Sequence, residues 1–358
     1  MSLRGQSLDA HLALYSGIDS VTSLRPSRIA LAIALGCALI LAACNRGRGR
    51  VLEVAYVSAP QVNLRDRVAA VYTKVGLVKN GERVDVLDRD RRFVKVRSAG
   101  GVEGWMEQRY LVNQQVYTQI QKLTQDSQRD PIQGQGTTRN DTNLHVEPGR
   151  DAEHLFQIAT GEKVQLLRRS TAEKPGTAAP PARTAAKADE KKSSKTPSPQ
   201  PLLEDWWLVR DTHDRVGWVL ARMVDLDVPL DVAQYAEGQR IVAFFVLDEV
   251  RDGDKKVPQY LTILTEPKDG LPFDFNQVRV FTWNVKRHRY ETAYRERLNG
   301  SLPVTVSQES FEKEGTLPTF AIRVKDEDGK VTERKYKLNT PIVRRVLAPG
   351  EEISKKRR

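Results

Sequence analysis

The sequence predicts an all-β protein in which two small barrels, joined by a short helix, are followed by an antiparallel β-sheet or open barrel. Two observations predict the barrels: runs of residues that alternate between apolar and polar, and a set of spacings that occurs twice along the chain. Seven further strand-like runs after residue 231 predict the sheet. A chain of 358 residues is long enough for two or three domains.

The composition narrows the class of protein. Lys and Arg number 57 against 46 Asp and Glu, which gives a net charge of +11. With 39% hydrophobic and 29% charged residues, the chain is neither a membrane protein with several spans nor uniformly disordered. The excess of positive charge is suited to anionic wall polymers and to membrane surfaces.

The amino terminus has the pattern of an export signal. Residues 29–43 form an uncharged apolar run that follows Arg25 and Arg28 and is shorter than the roughly 20 residues that a membrane span needs. Residues 41–44, Leu-Ala-Ala-Cys, resemble the bacterial lipobox, in which the cysteine is lipidated and becomes the first mature residue. The resemblance implies a lipoprotein anchored through Cys44. The alternative is a short buried helix with an incidental cysteine.

From this resemblance we expect a signal peptide at residues 1–43 and a tether at 44–51. The mature protein would then have no free thiol, because Cys37 leaves with the signal and Cys44 is acylated. Asn45 stands where an aspartate would indicate retention in the inner membrane, so its presence favours an outer membrane facing the periplasm in a Gram-negative host. The expected location is the bacterial cell envelope.

The repeat accounts for the next two domains. In each copy an Asn-Leu pair stands 18 residues before a Gly-Glu turn, and an arginine that ends a hydrophobic run stands 7 residues before a Gly-Trp pair. Short strands separated by Gly, Asn and Asp turns are typical of small barrels. The corresponding residues are Asn63 and Asn143, Gly81 and Gly161, Arg97 and Arg210, and Gly104 and Gly217.

This ordered set of features resembles the bacterial SH3 (SH3b) family, with an Asn-Leu-Arg start, a Gly-Glu turn before a strand, and a Gly-Trp pair before a short closing strand. The resemblance implies one SH3-like barrel at residues 52–113 and a second at 136–227, where His145 replaces the arginine. It also implies that the barrels bind peptidoglycan or another cell-envelope component.

Two segments interrupt the barrels. Residues 114–135 form a linker in which Val116, Ile120 and Leu123 recur at helical spacing, which predicts a helix packed on a barrel. Residues 170–203 are rich in Ala, Pro, Lys, Ser and Thr, which predicts a disordered insertion in a hairpin loop of the second copy. A barrel tolerates such an insertion because the cost of closing a loop grows slowly with its length.

The carboxy-terminal third, residues 231–350, does not repeat the barrel pattern. Its apolar runs have strand length and predict an all-β domain, with a hairpin turn at Asp328-Gly329. Residues 351–358 form a basic tail. The seven runs are 241–247, 260–264, 278–285, 290–298, 302–306, 320–324 and 331–338.

No pattern in the mature chain predicts catalysis. Without a free thiol, cysteine nucleophiles are excluded, and the histidines lie in no nucleophile elbow or metal-binding motif. Acidic pairs such as Asp248 and Glu249 leave glycosidase chemistry open, although neighbouring residues of a strand face opposite ways. We therefore expect no catalytic residues, no cofactor and no metal.

The candidate ligand-binding residues are polar or aromatic side chains on the two barrels. A small closed barrel has little internal cavity, so we expect a shallow groove. Trp105 and Trp218 are expected to be structural aromatics that fill the barrels, with walls of the groove as the alternative. The asparagines among the candidates could instead cap turns, and His145 is expected on a barrel surface rather than in a metal site. The candidates are Asn63, Arg65, Tyr72 and Tyr110 in the first copy and Asn143, His145 and Trp207 in the second.

These observations favour a non-catalytic, membrane-anchored envelope lipoprotein. Its expected partners are peptidoglycan or another envelope polymer and, through the lipid, a membrane. The alternative from another class is an envelope assembly or scaffold protein that binds another protein through its carboxy-terminal domain, and an enzyme is the third. We expect no nucleic-acid partner, because an exported protein rarely meets one.

Overall fold

The computed structural model describes residues 50–176, 201–326 and 329–347. The strand pairs in these ranges are antiparallel and build three seven-stranded sheets, which confirms the all-β class. The described residues from Val51 onward form one compact unit. The predicted signal peptide, Cys44 and the basic tail lie outside the described residues, and no helix within those residues is long and apolar enough to cross a membrane.

The first barrel surrounds a small apolar core. Val84 and Val86 are buried in one strand while Arg83 is exposed and Asp85 is half-buried, as the alternation in the sequence predicts. The sheet order is β3-β2-β6-β5-β4-β1-β7 for strands with the following bounds. They are β1 (Glu53–Val57), β2 (Gln61–Arg65), β3 (Lys74–Lys79), β4 (Arg83–Asp90), β5 (Phe93–Ser98), β6 (Glu103–Glu107) and β7 (Leu111–Asn113).

Helix α1 (Gln114–Asp126) connects the two barrels within the predicted linker. Asn113 caps its start, because its side chain accepts a hydrogen bond from the Val116 amide at 3.0 Å. Val116 and Ile120 are buried among residues of both barrels, and Leu123 packs on the second barrel. The apolar stripe of the helix therefore joins the barrels.

The second barrel has the strand order of the first. Its sheet order is β10-β9-β13-β12-β11-β8-β14, so each strand occupies the same place as its counterpart in the first barrel. It begins at Gly134, slightly before the predicted boundary. The strands are β8 (Gly134–Thr138), β9 (Thr142–His145), β10 (His154–Ile158), β11 (Lys163–Glu173), β12 (Leu203–Asp211), β13 (Val216–Leu220) and β14 (Val224–Leu226).

The hairpin formed by β11 and β12 corrects the bounds of the predicted insertion. The two strands pair as far as Glu173 opposite Leu203, so residues 170–173 and 203 belong to the sheet. In this extension Glu204 and Asp205 are buried and form ion pairs with arginines, contacts that the composition of the segment does not reveal. Residues 177–200, the centre of that insertion, lie outside the described residues.

The carboxy-terminal sheet follows the short helix α2 (Leu230–Ala233), and neighbours along the chain are neighbours in the sheet. One strand, β18, joins two of the predicted runs, and the last strand was not predicted. Phe320 and Tyr336 stack in its core with ring centroids 4.9 Å apart. The strands are β15 (Arg240–Asp252), β16 (Lys255–Thr265), β17 (Phe275–Asn284), β18 (Arg289–Phe311), β19 (Gly315–Lys325), β20 (Val331–Asn339) and β21 (Ile342–Val346).

Buried charges join the second barrel to the carboxy-terminal domain. Arg169 donates to Asp205 at 2.5 Å and to Asp274 at 3.1 Å. Arg240 also donates to Asp205, at 3.1 Å. Because the side chains of Arg169 and Asp205 are only 2% and 1% exposed, their charges are compensated by each other, by Asp274 and by Arg240 rather than by water. This network fixes the contact between the two domains.

Candidate functional site

A groove on the first barrel lies between two of its connections. One wall is the loop from Asp66 to Thr73 that joins β2 to β3, and the other is the turn from β4 to β5. Arg91 in that turn has a φ of 53°, a left-handed conformation that lets the chain reverse sharply. The volume of about 660 Å³ is within the range of small-ligand sites. The lining residues are Arg65, Val68, Ala69, Ala70, Asp90, Arg91, Arg92 and Phe93.

Guanidinium groups stack on aromatic rings along this groove. The Cζ atom of Arg65 lies 4.2 Å from the ring centroid of Tyr72 and 5.2 Å from that of Phe93. Arg92 stacks on the same Phe93 ring at 5.4 Å. Phe93 is therefore nearly buried although it lies on the outer face of β5. Such cation–π contacts hold the guanidinium planes in a defined orientation.

The groove carries an excess of positive charge. Arg65 has Glu107 at 4.0 Å, the outer limit of an ion pair. Arg91 and Arg92 are exposed, and neither has an acidic partner within the described part of the chain. Asp90 is the acidic residue among those that line the groove. Unpaired guanidinium groups beside aromatic rings suit a ligand that combines carboxylates with apolar or sugar surface.

The loop wall of the groove is held in place by Asp66. Its Oδ1 accepts the Thr73 amide at 2.8 Å and its Oδ2 accepts Arg67 Nε at 2.9 Å. The hydrogen bond from Arg67, followed by that from Thr73, lowers the pKa of the Asp66 carboxyl below its ordinary value. The ionised carboxylate thus ties the two ends of the loop together.

Two of the four residues predicted in the first barrel meet at this groove. Arg65 lines it and Tyr72 stacks on Arg65. Asn63 is exposed on β2, and Tyr110 packs against the barrel core, where Arg109 Nη2 donates to its hydroxyl at 2.7 Å. Neither Asn63 nor Tyr110 lines the groove.

The expectation that Trp105 fills the first barrel is wrong. Its neighbours Gly104 and Met106 are buried, and alternation along β6 therefore turns Trp105 to the outer face, where it is half-buried. Trp105 lies beside Arg65 in β2 and Lys95 in β5. Met106 occupies the core instead.

In the second barrel, Trp206 occupies the position that Phe93 has in the first, and its side chain is buried. The His145 ring meets it edge-on with centroids 5.4 Å apart, and His145 Nδ1 is 2.8 Å from the Ala152 carbonyl oxygen. Burial lowers the pKa of His145 below its ordinary value, and burial followed by the charge of His145 lowers the pKa of His154. Asn143 is half-buried in β9.

The prediction that Trp207 contacts a ligand is wrong. Trp207 is 6% exposed and belongs to the core that the second barrel shares with the carboxy-terminal sheet, because alternation turns it inward when Trp206 faces outward. Trp218 is half-buried and packs beside Leu208 and Leu123, the latter on helix α1. Trp218 thus packs on the outer face of the barrel rather than within it.

Sequence reasoning missed Phe93, Arg91 and Arg92. A signal for Phe93 was present: counting back equally from Arg97 and Arg210 puts Phe93 and Trp206 at one position. No sequence signal identified the two arginines, because the sequence of a tight turn does not distinguish arginines that bind a ligand from arginines that are only solvated.

Residues 60–112 match the bacterial SH3 domain family. The match covers β2 to β6, the first two residues of β7 and all residues that line the groove. No curated protein is significantly similar to the chain.

Among solved structures, an NlpC/P60 family protein from Bacillus cereus is 12% identical, with 81% of this chain and 95% of that chain covered and a TM-score of 0.22. NlpC2 from Trichomonas vaginalis is 10% identical, with 82% and 95% covered and a TM-score of 0.16. NlpC1 from the same organism is 9% identical, with 84% and 92% covered and a TM-score of 0.16. TM-scores this low do not establish a shared fold.

Proposed function

We propose that this protein is a non-catalytic cell-envelope protein that binds peptidoglycan through the groove of its first barrel. The observation that carries the proposal is the pair of unpartnered arginines, Arg91 and Arg92, beside the aromatic Phe93 in a domain that matches the bacterial SH3 family. Peptidoglycan offers stem-peptide carboxylates to the arginines and apolar side chains or sugar rings to the aromatic surface.

Binding by this groove alone is expected to be weak. The groove is shallow, and its arginines are exposed to water and screened by salt. A lipid anchor at Cys44 would hold the groove close to the wall and raise its effective concentration there. Because Asn45 follows the cysteine, the proposed location in a Gram-negative host is the outer membrane facing the periplasm, with the anchor supplying the membrane partner.

Co-sedimentation with purified sacculi tests the groove. The mature chain, with Cys44→Ser so that no lipid is attached, should sediment at low salt and release no muropeptides. Arg91→Ala/Arg92→Ala should sediment about tenfold less, the loss expected from about 1.4 kcal/mol of binding energy. Lys79→Ala/Arg83→Ala removes the same charge outside the groove and serves as the control.

The outcomes separate the alternatives. Equal losses in the two double variants would mean that net charge rather than the groove binds the wall. A chain that stays in the supernatant at every salt concentration would refute wall binding and favour a scaffold that docks a protein partner. Muropeptide release would refute the non-catalytic role.

Incorporation of radiolabelled palmitate tests the anchor. The full chain should take up the label and remain with membranes, whereas Cys44→Ser should do neither. Equal retention of both in the membrane fraction would refute the lipoprotein proposal without affecting the groove.

A further inference from the structure

The groove of the first barrel has a counterpart on the second barrel, and an ion pair spans it. Counting from the matched residues of the repeat puts Arg150 at the position of Ala70 and Glu204 at the position of Arg91. In the first barrel these positions line the groove from its loop and from its turn. In the second barrel they are bonded to each other, so the same two walls are joined.

The contact has the geometry of ligand recognition. Arg150 Nε donates to Glu204 Oε2 at 2.7 Å and Nη2 donates to Oε1 at 2.5 Å, the two parallel bonds of a guanidinium on a carboxylate. Arg222 adds a third bond to Oε1 at 3.2 Å. The Glu204 side chain is 7% exposed, whereas that of Arg150 is 36% exposed. The carboxylate is thus a fixed, buried part of the barrel, and the guanidinium reaches it from a surface loop.

The local charge favours a cation at this position. The loop from β9 to β10 carries three acidic residues, Glu147, Asp151 and Glu153. Its one arginine or lysine is Arg150, and His145 and His154 lie at its two ends. The first barrel has the opposite balance, with unpaired arginines in the groove. The matched positions of the two barrels therefore differ in charge, and Glu204 also has Arg222 at 3.2 Å.

We propose that the second barrel has a binding site for the arginine side chain of an extended peptide from a partner protein, and that Arg150 of the same chain occupies this site in the present structure. Glu204 binds the guanidinium, and the covered Trp206 lies in the strand beside it. A peptide arginine gains access when the loop moves Arg150 away. Only molecules with a vacant site can bind it, so the apparent affinity is the intrinsic affinity multiplied by the fraction of vacant sites.

Removal of Arg150 is the direct test. In the mature chain with Cys44→Ser, the probe is N-acetyl-L-arginine amide, and the matched neutral probe is the corresponding citrulline derivative. The indole N–H resonance of Trp206, assigned with Trp206→Phe, reports binding. Arg150→Ala should show a saturable shift with the arginine probe alone, at a concentration about tenfold lower than the wild type needs. Arg150→Gln, which keeps more of the side chain, is the second variant if alanine prevents folding.

The remaining variants decide the assignment. Arg150→Ala/Glu204→Gln should lose the response, and Arg91→Ala/Arg92→Ala in the first barrel should leave it unchanged. The proposal is overturned by the absence of a saturable shift in a folded Arg150 variant, by an equal response to citrulline, or by an equal response without Glu204.

Discussion

The two barrels share one strand order but differ in the side chains at the positions that form the groove of the first barrel. In the first barrel Ala70 and Arg91 line an open groove, and in the second Arg150 and Glu204 bridge the equivalent place. Both retain an aromatic residue on the outer face of the central strand. The matched part of the fold is therefore an open cationic groove in the first barrel, whereas an ion pair bridges it in the second, where Glu204 lies in strand β12 rather than in a turn.

A second difference concerns the next residue along the chain, which follows Arg91 in the first barrel and Glu204 in the second. Arg92 of the first barrel is exposed, whereas its counterpart, Asp205, is 1% exposed and bonded to Arg169 and Arg240. The matched residues thus lie in an exposed groove in the first barrel and in the contact with the carboxy-terminal domain in the second.

Replacement of a buried tryptophan has the largest expected effect. Trp207→Ala should lower the free energy of unfolding by about 3–5 kcal/mol, because the side chain fills a core shared by two domains. Trp105→Ala, on the outer face of the first barrel, should stay within about 1 kcal/mol of the wild type. Urea denaturation followed by circular dichroism measures both. A larger loss for Trp105→Ala would contradict the different roles inferred for the two tryptophans.

Loss of the buried carboxylate should be the next largest effect. Asp205→Asn removes the carboxylate charge that compensates Arg169 and Arg240 and leaves Arg169 with Asp274 alone, so we expect the free energy of unfolding to fall by about 3 kcal/mol. Arg92→Ala, at the matching position of the first barrel, should change it by less than about 0.5 kcal/mol. The same denaturation experiment compares them, and near-equal values would mean that the second barrel does not depend on this network.

The fold class was predictable because its signals are local. Alternation at Val84 and Val86 and the glycine turn at Gly81 specify strands without reference to distant residues. The predicted number of carboxy-terminal strands agrees with the structure only because two errors offset each other. Residues 290–298 and 302–306 are both in β18, and the half-exposed edge strand β21 has no continuous apolar pattern.

The groove was only partly predictable. Arg65 stands in a repeated motif, so its position carries a signal. Two adjacent hydrophobic residues occupy matching positions of the central strand in each barrel, and alternation alone fits either orientation. Pairing with the neighbouring strands decides that Phe93 and Trp206 face outward while Val94 and Trp207 face inward.

Exchange of two groove residues converts one barrel's surface into the other's. Ala70→Arg/Arg91→Glu should form the bridging ion pair in the first barrel and weaken co-sedimentation with sacculi about tenfold, or about 1.4 kcal/mol. Its stability should change little, because the pair is near the surface. Arg83→Ala lowers the net charge by the same amount outside the groove. If the exchange variant binds sacculi as well as Arg83→Ala does, an open groove is not what the wall requires.

The smallest expected effect is a pH dependence that belongs to the second barrel. Burial lowers the pKa values of His145 and His154 below the ordinary 6.5, so folding favours neutral imidazoles while the unfolded chain binds protons from about pH 6.5 downward. This contribution to stability is complete above pH 6.5 and is lost as the pH falls through the folded pKa values. The first barrel has Arg65 and Lys74 at these positions and no histidine there. Urea denaturation at about pH 7.5 and pH 5 should therefore show a larger loss in the wild type than in His145→Gln/His154→Gln. An equal loss in both would mean that the carboxylates titrate instead and that the two imidazoles are not the acid-sensitive groups.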